Sequence, residues 1–214
     1  MQLPAEDSRL VRIVDATLAE AARDAGAWLA CRPGCTQCCH GVFAINALDA
    51  LRLRAGMEAL RTSDPARAAA VEGRAEAWIA ARQADFPGDA QTGWLGESEP
   101  ERERFEKFAN EAACPALNPA TGLCDVYAWR PMTCRVFGPP VRVEDGHALG
   151  HCELCFEGAS PDQVAACEMP LPHALENRLL AELGTTGSTV VAYALRLPQQ
   201  SGVSRREELD AAAR

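Results

Sequence analysis

The sequence predicts a mainly α-helical domain over residues 1–200, with irregular cysteine-rich loops and one short β-hairpin. Three observations predict it. Apolar residues recur at helical spacing in several separate stretches. Of the 214 residues 40 are Ala, the strongest helix former. Cys, Pro and Gly gather between the periodic stretches, where they break helix and strand alike. Only 6% of residues are aromatic although 48% are apolar, so the core is thin, because Ala removes little surface from water.

The elements follow in chain order. Leu10, Ile13, Val14, Thr17, Leu18, Ala21, Ala25, Trp28 and Leu29 share one face, with Arg12, Asp15, Glu20 and Arg23 opposite; this amphipathic helix is expected to run up to Cys31. Residues 31–41 form a tight loop broken by Pro33-Gly34. Asn46 opens a second helix through Leu51, Leu53 and Leu60, and Asp64-Pro65 caps an Ala-rich third to about Ala84. Residues 85–97, with Pro87, Gly88, Gly93 and Gly96, read as a surface loop. Ser98 and Glu101 make a capping box for a charged fourth helix to about Ala112. Residues 114–155 are irregular, with turns at Asn118-Pro119 and Thr121-Gly122 and a hairpin around Asp145-Gly146. Ser160 caps a short helix, residues 172–183 form another closed by Gly184, and 189–195 read as helix. Trp28, Trp78, Phe105 and Phe108 fall on the helical core. The tail 201–214 has no core face and is expected to be mobile.

Charge narrows the function classes. Lys+Arg total 21 against Asp+Glu 30, a net charge of -9. That disfavours a phosphate backbone as partner, and no nucleic-acid role is expected. The first twenty residues carry Glu6, Asp7, Arg9, Arg12 and Asp15 without an unbroken apolar run, and no window is long enough for a membrane span. A cytoplasmic location is expected, where thiols stay reduced and clustered Cys reads as metal binding or redox chemistry. Ser–His–Asp, P-loop and HExxH patterns are absent, so no catalytic residue is assigned.

The 10 Cys fall into three runs: Cys31, Cys35, Cys38 and Cys39; Cys114, Cys124 and Cys134; Cys152, Cys155 and Cys167. Cys35/Cys38 and Cys152/Cys155 are CxxC pairs, whose two-residue gap lets a turn aim both sulfurs at one ion. Adjacent Cys38 and Cys39 should point in opposite directions if extended, which suggests two metal sites or a polynuclear centre. Eight thiolates on two divalent ions leave about four surplus negative charges. Arg32, Arg130 and Arg135 lie near enough in sequence to offset them. Cys31, Cys35, Cys38, Cys39, Cys114, Cys124, Cys134, Cys152 and Cys155 are therefore the candidate metal ligands. Cys167, among Ala165, Ala166 and Met169, reads as core; His40 and His151 read as neighbours of the ligand loops, and Tyr127 and Trp129 as packing over them.

Cys31-Arg-Pro-Gly-Cys35-Thr-Gln-Cys38-Cys39, then Cys114-Pro115, Cys124 followed by Tyr127, Arg130-Pro131-Met-Thr-Cys134-Arg135 and Cys152 together resemble the CxxCxxCC-type cysteine-cluster family, YkgJ-like zinc- or iron-chelating domains. The first gap departs from that pattern, with three residues between Cys31 and Cys35 instead of two. The resemblance implies a metal-binding protein whose cofactor is zinc or iron, with an iron–sulfur cluster as the alternative, in electron transfer or as accessory to protein modification such as methylation. No glycine-rich nucleotide loop follows a strand here, so methyl transfer itself is not carried over. The thin core leaves room for a protein partner that the sequence does not name.

Overall fold

The computed structural model describes residues 2–142, 149–184 and 186–196, and these are predominantly helical. Helix α1, Asp7–Ala25, buries Leu10, Val14, Ala21 and Ala25 along one side. It ends earlier than its periodicity suggests, because Gly26 adopts φ +50 and turns the chain into the 3₁₀ turn Gly26–Trp28 before Cys31.

Helix α2, Ala47–Ser63, starts where Asn46 accepts the Asp49 N–H at 2.9 Å. Helix α3, Pro65–Ala80, starts where Asp64 accepts the Arg67 N–H at 3.1 Å. These two helices pack on α8, Val191–Leu195, a short helix whose five residues are all buried. Leu53, Met57, Val71, Val191 and Leu195 fill the space between them, with Ala50, Ala68, Ala75 and Ala194 making close helix approach possible. Strand β1, Ile45–Asn46, pairs antiparallel with β4, Ser188–Thr189, and fastens the start of α2 beside the start of α8.

Helix α4, Glu99–Lys107, has its capping box, with Glu101 accepting the Ser98 N–H at 3.1 Å. It stops short of Ala112. Phe108 is extended and Ala109 sits at φ +54, which turns the Phe108 ring edge-on to Trp78 and Phe86 at 5.9 and 5.7 Å. Burying the aromatic outweighs one more helical turn. The segment 85–97 is also more than a surface loop. Phe86 and Pro87 are buried, Gly88 bridges Leu95, and Tyr193 donates its hydroxyl to the Ala90 carbonyl at 2.8 Å. Trp78 and Phe108 are core as expected, whereas Trp28 and Phe105 are only partly buried.

Helix α5, Met132–Val136, lies against α1, and α7, His173–Leu183, closes at Gly184 in the left-handed conformation. Leu10, Val14, Leu48, Met132, Met169 and Leu179 form the core between α1, α2, α5 and α7. A buried ion network braces it: Arg52 donates to Asp7 at 2.8 Å and to Asp49 at 2.5 Å, and Asp49 also accepts the Met132 N–H at 3.0 Å. Strands β2, Val141–Arg142, and β3, Leu149–Gly150, pair antiparallel; the turn expected at Asp145-Gly146 and the tail 201–214 lie outside the described residues. Helix α6, Pro161–Ala166, is capped by Ser160. No described helix is long and apolar enough to cross a membrane.

Candidate metal centre

The cysteine loop is not extended. Cys35 N–H donates to the Arg32 carbonyl at 2.9 Å, Cys39 N–H to that of Thr36 at 2.8 Å, and Gln37–Cys39 form a 3₁₀ turn. The loop is then sewn to the next cysteine run: Cys114 N–H reaches the Cys39 carbonyl at 2.7 Å and Gly41 N–H that of Ala112 at 3.0 Å. Beyond it the chain doubles back, with Leu117 bridged to Cys124 and Asp125 N–H on the Ala116 carbonyl at 2.8 Å. Helix α5 then carries Cys134. Backbone hydrogen bonds thus hold together loops whose thiols are distant in sequence.

The thiols fall into two electrostatic groups. Cys38, Cys39, Cys114, Cys124 and Cys134 lie within electrostatic reach of one another. Cys31, Cys35, Cys152 and Cys155 do so as well. For every shifted thiol, the leading thiol neighbours belong to its own group. Cys38 and Cys39, expected to diverge if extended, instead lie in the 3₁₀ turn Gln37–Cys39, and the charge of Cys35 bears on Cys31 and Cys152. All ten cysteines are free thiols. Among the described residues no three His, Cys, Asp or Glu side chains are drawn close enough to hold a metal ion as they stand.

The thiols hold their protons unequally. The neighbouring Cys39 thiol holds the Cys38 thiol down at about 6, assisted by the Arg130 charge. Burial pushes Cys114 up to about 12 and raises Cys124 and Cys134, and the surrounding thiols add to it. Cys31 is pushed up to about 12 by burial and by Cys155.

Of the three expected counter-charges, one faces the sulfurs. Arg130 is buried, its charge favours ionised Cys38 and Cys124, and its Nε has no hydrogen-bond partner. Arg135 is buried but committed, bonding Asp15 at 2.7 and 2.8 Å and the Arg130 carbonyl at 3.2 Å. Arg32 is exposed. Tyr127 is 62% exposed, so it does not shield the site; its ring instead carries the Arg130 guanidinium at 3.9 Å. Trp129 packs on Gly56. His40 and His151 are exposed, His151 Nδ1 lying 3.1 Å from the Cys152 carbonyl, and Cys167 is buried core. Sequence reasoning missed Asp49, whose charge raises Cys134, and Gly138, where a Cβ would stand 2.8 Å from the Cys31 sulfur. Nothing in the local sequence signals either.

A helical scaffold whose loops gather free thiols from distant segments defines a cysteine-cluster protein. The chain belongs to the CxxCxxCC family, described as a "putative zinc- or iron-chelating domain", which it matches over residues 30–153. No curated protein and no solved structure matches it.

Proposed function

We propose that the protein binds zinc or iron through cysteine thiolates, and that the ion is structural or stored. The observation that carries this reading is the family match over residues 30–153, supported by the backbone hydrogen bond that ties the Cys39 loop to Cys114 and by the buried Arg130 charge beside Cys38 and Cys124. The donor set fits: sulfur-only ligation suits zinc and iron–sulfur centres and does not suit magnesium or calcium. A bound ion would take these cysteines as thiolates, so binding would release their protons. An iron–sulfur cluster in that place supplies one-electron transfer. The domain over residues 1–200, the cytoplasmic location and a protein partner belong to the same proposal.

The alternative reading, a cluster protein serving electron transfer or protein modification, is favoured by the placement of Cys38 and Cys39 in one 3₁₀ turn and by 10 Cys where one tetrahedral ion takes about four. Elemental and acid-labile sulfide analysis of anaerobically purified full chain decides between them. Stoichiometric zinc without sulfide is expected for chelation; iron with sulfide and a broad band near 400 nm, roughly, supports the alternative. Metal-free folded protein overturns both.

A further inference from the structure

We propose that the cleft where α3 and α4 end binds a small organic polyanion through its clustered acidic oxygens, those of a phosphate ester or a polycarboxylate, on Arg82, Arg104 and Lys107. The site is separate from the cysteine loops and does not depend on a bound metal. Three observations support it.

The first is the lining. A cavity of about 380 Å³, within the size range of small-molecule sites, is walled by Arg82, Asp85, Arg104, Lys107, Phe108 and Ala109. Three cations therefore face one carboxylate, in a chain where Asp and Glu outnumber Lys and Arg by 30 to 21. Lys107 is the only lysine in the sequence. Arg104 and Lys107 lie in the last turn of α4, where the helix dipole favours positive charge, yet Arg82 joins them from beyond the end of α3.

The second is that these charges do not neutralise one another. Among the described residues no ion pair links Asp85 to any of the three cations. Glu103 stands four residues before Lys107, the spacing of a helical ion pair, but the Lys107 ammonium makes no ion pair or hydrogen bond among the described residues.

The third is that both guanidinium groups are held in place with donors to spare. Arg82 lies over the Trp78 ring at 4.9 Å and gives Nη1 to the Trp78 carbonyl at 3.4 Å. Arg104 gives Nη2 to the Asp85 and Phe86 carbonyls at 3.2 and 3.1 Å. Their remaining N–H groups make no hydrogen bond among the described residues, and a guanidinium edge matches two acidic oxygens at once. Phe108, fixed edge-on to Trp78 and Phe86, adds an apolar wall that the carbon part of an organic anion can cover.

The sole lysine makes the test direct. An amine-acylating reagent is applied to the full-length protein, and mass spectrometry follows modification at Lys107 with pyrophosphate, citrate or sodium chloride at matched ionic strength. Isothermal titration gives the affinities of the same two anions. Pyrophosphate or citrate at ten times its Kd should slow acylation of Lys107 by about 10-fold, by mass action. Chloride should not, because screening acts without filling the cleft. Lys107→Gln and Arg82→Gln should each weaken binding by about 10-fold or more, the worth of a charge-assisted hydrogen bond, and Arg9→Gln on α1 should leave it unchanged. Lys107 is exposed, so Lys107→Gln keeps the fold even where Arg82→Gln disturbs the Trp78 stack. Both probes also bind free metal, so the comparison of Lys107→Gln with the unaltered protein decides. Binding of pyrophosphate alone assigns a phosphate ligand, and of citrate alone a polycarboxylate. No protection by either probe, equal protection by chloride, or an affinity unchanged in Lys107→Gln overturns the site.

Discussion

Arg130 shows what one residue contributes. Its guanidinium rests on the Tyr127 ring, donates to the Tyr127 carbonyl at 3.2 Å and stands 3.9 Å from Asp15, while its buried Nε has no partner, so negative charge on the nearby sulfurs further offsets its desolvation. Arg130→Ala should therefore weaken metal binding by about 10–100-fold, with Arg130→Lys between, as read by competition with a chromophoric chelator. Unchanged affinity would remove the residue from the site. From sequence, Arg130 and Arg135 were equal candidates; what separates them is Asp15, a carboxylate on α1 that grips Arg135 at 2.7 Å but stands 3.9 Å from Arg130. The protons give a second prediction. Cys114 at about 12 is protonated at neutral pH, whereas Cys38 at about 6 is mostly ionised. Metal must displace the first proton at any ordinary pH and the second only below pH 6 or so. Affinity should rise with pH throughout, and more steeply below that point. A chelator titration flat in pH would contradict thiol ligation.

At the scale of elements, Gly56 gives the sharpest prediction. Inside a helix, Gly→Ala normally stabilises by about 1 kcal/mol. Here a Cβ would stand 2.0 Å from Trp129 Cδ1, and Trp129 adjoins Arg130. Gly56→Ala should destabilise, by about 1–3 kcal/mol for an overpacked contact, and disturb the site with it. Thermal melts check the sign, and a raised Tm would show that Trp129 gives way freely. The capped starts at Asn46, Ser98 and Ser160 and the stop at Gly184 were legible, because a cap is set by residues within one turn of it. The ends of α1 and α4 were not. Gly26 could have sat inside a helix at modest cost, and α4 stops because Phe108 finds Trp78 and Phe86, which no local pattern reveals.

For the molecule as a whole, the mainly helical class followed from Ala content and spacing. The grouping of the cysteines did not follow, since it depends on which loops hydrogen-bond to one another. Adjacent Cys38 and Cys39 share a 3₁₀ turn, and the charge of Cys35 bears on Cys31 and Cys152, neither of which the spacing alone reveals. The core is thin where the thiols lie, so bound metal should supply folding free energy there. Stripping the ion with a strong chelator should lower Tm, and an unchanged melt would show the metal to be cargo and not structure. The central claim is that sulfur from distant segments surrounds shared ions, and X-ray absorption at the metal edge of the loaded full-length protein addresses it directly. The account predicts a first shell of about four sulfurs at about 2.3 Å for zinc. A first shell of oxygen or nitrogen at about 2.0–2.2 Å, without sulfur, would contradict it.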